Sequence, residues 1–128
     1  MQEKVLLFNF NEESQLNAVR MVLFLMQVPA AMIPREKYKL PLKMLIAEEE
    51  PSSVSAGNDK ELDGQMMVFA GISEEKLDKL LSLLRANPAC GKIPYKAILT
   101  QMNQDWNAFT LLKELQKEHA AMHGESGL

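Results

Sequence analysis

The sequence predicts an α+β fold in which two strand–helix–strand–helix halves share one four-stranded sheet. Three observations carry this. Residues 5–10 and 66–70 are short, nearly unbroken apolar runs, the pattern of strands covered on both faces. Each run is followed by paired glutamates and then by apolar residues at helical spacing. The halves also match each other. Slid by 61 residues, Phe8 meets Phe69, Glu13 meets Glu74, Leu16 meets Leu77, Val19 meets Leu80 and Leu23 meets Leu84.

The first strand is V-L-L-F-N-F. Asn11 is placed to cap the next helix, with Glu12 and Glu13 at its positive end. This helix is expected to reach about residue 27, with Pro29 beyond it. Leu16, Val19, Leu23 and Met26 form its core stripe. Met21, Val22, Phe24 and Leu25 widen the stripe past what one core face needs. Residues 30–34 read as a short second strand. Pro41 then opens a short helix with Leu42, Leu45 and Ile46 on its apolar side. From about 48 to 62 the chain is acidic and rich in Ser, Gly and Asn without apolar period, and a mobile loop is expected.

In the second half, residues 66–70 are the third strand and Ser73 the cap of a helix bearing Leu77, Leu80, Leu81 and Leu84. N-P-A-C-G-K ends that helix. I-P-Y-K-A-I-L-T is the fourth strand. Alternation puts Lys96, Ile98 and Thr100 on one face and Tyr95, Ala97 and Leu99 on the other. A last helix is expected from about 106 to 122, with Ala108, Leu111, Leu112, Leu115 and Met122 inward. In a split βαβ plan strands one and three take the centre of the sheet. The preferred plan is a split, ferredoxin-like βαβ arrangement, mostly antiparallel. The alternative is a doubly wound parallel sheet.

A chain of 128 residues suits one domain. A net charge of −3 exerts no pull toward nucleic acid. The single cysteine, Cys90, excludes an internal disulfide and fits a reducing, cytoplasmic setting. The opening residues lack a signal-peptide pattern, and the most apolar run, 21–28, is too short to span a bilayer. No membrane partner and no cofactor are expected. Nine methionines read as adaptable core filler.

Chemistry-bearing candidates each have a structural reading. In T-Q-M-N-Q-D-W-N, the residues Thr100, Asn103, Asp105 and Asn107 suit the start of a helix, and Trp106 suits burial against the sheet. Lys96, Thr100 and Asn103 could instead gather at the strand end around an anion. His119 and His123 stand four apart, but no third ligand is indicated, so no metal site is expected. Cys90 lacks a base partner and reads as a partly buried loop thiol. P-R-E-K-Y-K, with Lys43 beyond, reads as a solvated basic face, an anionic ligand being the minor reading.

Y-K-A-I-L-T-Q-M-N-Q-D-W followed by L-L-K-E-L-Q-K-E-H resembles a bacterial domain-of-unknown-function family, DUF3783. The likeness extends upstream through M-V-F-A-G-I-S and, more loosely, to Y-K-L-P-L-K-M-L in the first half. Gln101-Met102 and Leu42-Lys43 depart from the family pattern, which often has Pro-Thr and Ile-Gly there. The resemblance implies no activity, substrate or cofactor. It marks Lys96, Thr100, Asn103 and Trp106 as signature positions. The reading that results is a small binding or regulatory module without enzymatic activity, pairing as a homodimer through Met21, Phe24 and Leu25. The alternative is a site for an anion or other small molecule, catalytic in one version, at Lys96, Thr100, Asn103 and Trp106.

Overall fold

The computed structural model describes residues 2–49 and 62–126, the last six as backbone only. Of the loop expected at 48–62, residues 50–61 lie outside the described residues, as do the side chains of Met122 and His123. The elements are β1 (Lys4–Phe8), α1 (Glu13–Leu25), β2 (Ala30–Met32), α2 (Leu42–Ala47), β3 (Met66–Ala70), α3 (Glu74–Ala86), β4 (Tyr95–Ile98) and α4 (Ala108–Ser126). Short 3₁₀ turns stand at Arg35–Lys37, Pro88–Cys90 and Asn103–Asp105.

The four strands form one open mixed sheet in the order β2-β1-β3-β4. β1 and β3 are central and antiparallel, with Leu6 opposite Val68. β2 runs parallel to β1, and β4 runs parallel to β3. The sheet is therefore neither mostly antiparallel nor wholly parallel, which corrects the ferredoxin-like expectation. A ferredoxin-like plan also centres strands one and three, but β3 inserts between β1 and β2. Here β3 docks on the other side of β1, so each βαβ unit stays whole. Right-handed crossovers with both helices on one face permit either order. The apolar pattern of the central strands is the same in both, so it cannot choose between them.

Two cores result. On one face Val5, Leu7, Met67 and Phe69 pack against α1 and α3, with Val19, Leu23, Leu80 and Leu84. On the other, Leu6, Phe8, Met66 and Val68 pack against α2 and α4, with Leu42, Leu111 and Leu112. Burying each such side chain contributes about 1.5–3 kcal/mol, so β1 and β3 anchor the domain.

The face assignments correct the 61-residue match. Phe8 belongs to the α2/α4 core, and Phe69 to the α1/α3 core. A shift of 61 would pair Val5 with Met66, which lies on the opposite face. The residue that shares Val5's face is Met67, one position further on, because a slip of one residue exchanges the faces of a strand. The helices keep the shift of 61, since Glu13 and Glu74 both open their helices. The loop between β1 and α1 is one residue longer than that between β3 and α3, which absorbs the difference.

Three helix ends also differ from expectation. Asn11 does not cap α1. Its amide donates to Asn9 Oδ1 at 2.9 Å, and Glu12 takes the cap position, its carboxylate accepting from the Ser14 hydroxyl and not from a helix N–H. Ser73 does cap α3, accepting from the Lys76 N–H. α1 stops at Leu25, before Pro29 can act. Gln27 turns left-handed at φ 57°, and the N–H groups of Gln27 and Val28 return to the carbonyls of Phe24 and Leu23. This is a Schellman closure, with Val28 packed in the same core as Leu23. α4 begins at Ala108, two residues later than expected, because a separate 3₁₀ turn precedes it.

Candidate functional site

A groove of about 570 Å³ wraps the outer edge of β4, which no other strand among the described residues pairs. Leu77 and Leu81 of α3 line it on one face of the sheet. Trp106 and Leu115 line it on the other, with Glu114 and Glu118 of α4 on that rim. Lys96, Thr100 and Asn103 also reach the groove, so all four signature positions border one depression.

Their geometry is that of a turn that satisfies itself. Thr100 N–H donates to Asn103 Oδ1 at 2.8 Å, and Asn103 N–H donates to Thr100 Oγ1 at 3.1 Å. This is a capping box with asparagine in the role usually taken by Glu or Gln. Asn103 is 8% exposed, and its Nδ2 donates to the Ile98 carbonyl at 3.0 Å. Leu99 N–H donates inward to Phe69 O. By the alternation of a strand, Lys96 and Ile98 then turn their main-chain groups to the open edge. Asn103 thus covers one outward carbonyl and leaves the Lys96 groups and the Ile98 N–H on the edge.

Lys96 is not drawn into this cluster. Its Nζ reaches back to the Ile93 carbonyl at 2.9 Å, ahead of the strand, while Thr100 and Asn103 sit beyond the strand's other end. Desolvation, and secondarily the Arg85 charge, lower its pKa from the usual lysine value. Trp106 is half-buried in the α2/α4 core. Its main-chain N–H donates to Asn103 O, and its carbonyl accepts the Leu42 N–H that opens α2. Asp105 pairs with Lys43 at 2.6 Å, which raises the Lys43 pKa, and Asn107 caps α4 by accepting from Thr110 N–H. The motif therefore starts two helical pieces in succession and ties them to α2.

The first half has its own knot, which the sequence did not disclose. Asn9 follows β1 with φ 67°. Its N–H donates to the Tyr38 hydroxyl, and its Nδ2 donates to Leu62 O and Gly64 O. Tyr38 is 5% exposed and stacks edge-on against Phe8, so the aromatic of the expected basic face is a core residue. Desolvation raises the Tyr38 pKa. An Asn after a strand was a usable signal for a left-handed turn; its long-range partners were not legible.

The remaining candidates separate. Cys90 is fully buried, more so than a loop thiol was expected to be, and burial raises its pKa. The His119 ring lies 5.0 Å from that of Tyr95. Among the described residues no three His, Cys, Asp or Glu side chains are grouped to hold a metal, and no helix is long and apolar enough to cross a membrane. On α1, Met21, Phe24 and Leu25 are all exposed, Phe24 to 77%.

No curated protein and no solved structure matches the chain. Residues 65–122, which run from the start of β3 into α4 and carry the whole groove, match the family described as domain of unknown function DUF3783.

Proposed function

We propose that this is a non-enzymatic binding module, resident in the cytoplasm, that pairs with a second copy of itself through α1. The observation that carries the reading is the apolar cluster of Met21, Phe24 and Leu25 on the outer face of a helix whose inner face is already packed. Their i, i+3, i+4 spacing sets them side by side. A single helix face of this kind can pack against its own copy about a two-fold axis, the commonest form of association. The lone buried thiol fits a reducing compartment.

An anion site at the end of β4 has less support. Thr100 and Asn103 spend their polar groups on each other and on the edge, and the Lys96 ammonium is held at Ile93.

Sedimentation velocity across a concentration series tests the pairing. The wild type should move toward a dimer at micromolar concentration, and Phe24→Lys should remain a monomer with unchanged circular dichroism. A wild type that stays monomeric throughout overturns the proposal.

A further inference from the structure

We infer that the free edge of β4 is a docking site for an extended segment of a partner protein, added as a fifth strand with apolar side chains toward α3 and basic ones toward α4. Three features of the groove select that occupant. The first is the edge itself. Lys96 offers an outward N–H and C=O and Ile98 an outward N–H, the hydrogen-bonding set an added strand needs.

The second is that the groove lies on both faces of the sheet at once. Leu77 and Leu81 stand on the α3 side, and Trp106 and Leu115 on the α4 side. A helix or a compact ligand would fill one side. A strand sends successive side chains to opposite faces and fills both. Exposed Ile98 and Met102, at 56% and 75%, extend the apolar floor on the edge.

The third is charge. On the α4 rim stand Glu114 and Glu118, and Glu118 has no ion partner among the described residues. The α3 side is walled by Phe69, Leu77 and Leu81, and its cations, Arg85 and Lys96, stand near one another with the Lys96 ammonium turned back to Ile93. A strand with valine-like residues on one face and lysine or arginine on the other is complementary to both walls. Asn103 fixes the site's length, since its bond to Ile98 O ends the ladder there.

The test uses the whole chain and a capped peptide of alternating Val and Lys. Two derivatives are N-methylated, one at every Val and one at every Lys. In a bound strand only one of these sets faces β4. The expected result is saturable binding that one derivative loses by about tenfold or more, from the loss of one or two ladder bonds, while the other keeps it. Amide exchange at Lys96 and Ile98 should slow in the complex. Glu118→Lys, on an exposed position that leaves folding intact, should weaken the parent peptide. Absence of saturable binding, or equal binding by both derivatives, overturns the inference. So does concentration-dependent protection of the same two amides without peptide, which would put a second copy on the edge.

Discussion

Asn103 and Thr100 hold each other by a reciprocal pair of bonds, side chain to main chain in both directions, at 2.8 and 3.1 Å. The asparagine also covers the edge carbonyl of Ile98. Asn103→Ala removes half of the capping box and exposes that carbonyl. The expected cost is about 2 kcal/mol, a fall in Tm of roughly 6–10 °C. Calorimetry of the variant beside the wild type checks it. An unchanged Tm would mean that the turn holds without the side chain.

A side chain at Gly64 would be strained and crowded against the Tyr95 ring. The φ of Gly64 is +155°, and a Cβ there would stand 3.0 Å from Tyr95 Cε2. Gly64→Ala should therefore cost about 1–3 kcal/mol through overpacking, with backbone strain added. Since the ring is the obstacle, Tyr95→Ala should recover part of that loss. The double variant should be more stable than the sum of the two single changes implies. Strict additivity in denaturant titrations would refute the contact.

Cys90 titrates against the fold. Burial raises its pKa, so the native protein keeps the proton to higher pH than the unfolded chain, whose thiol ionises at about 8.5. The unfolded state thus binds fewer protons in that range, and stability falls as pH rises from the unfolded pKa toward the native one. Below the unfolded value the contribution is fully present. Urea titrations between neutral and alkaline pH should show a decline that Cys90→Ala reduces. An aromatic disulfide reagent should react slowly with the native thiol and at once in denaturant.

Much of the fold was legible because it rests on local rules. The double-sided apolar runs located β1 and β3, and the leucine stripe and Ser73 located α3. What escaped depends on distance. Nothing in Ala30–Met32 or Tyr95–Ile98 says which central strand each will join, so the sheet order stayed hidden. The Phe8 and Phe69 match looked persuasive because aromatic identity is visible and face parity is not. Asn11 had the right chemistry for a cap, but α1 begins one residue too late for it, with Glu12 in the cap position. At the candidate site, the capping role of Thr100 and Asn103 could be read from residue type. Their covering of the Ile98 carbonyl, and the withdrawal of Lys96, required coordinates.

The order β2-β1-β3-β4 has a further consequence. Exchanging the two halves leaves the strand order, the strand directions and the face covered by each helix unchanged. The domain is laid out like a dimer whose two protomers have become one chain, with a dyad through the β1–β3 pair. The match to residues 65–122 coincides with one of those protomers. Two separate copies of one sequence must present the same surface twice. A joined pair is free to differ, and this one does: each unit keeps one edge strand, but the apolar outer helix face lies in the first unit and the groove along β4 lies in the second.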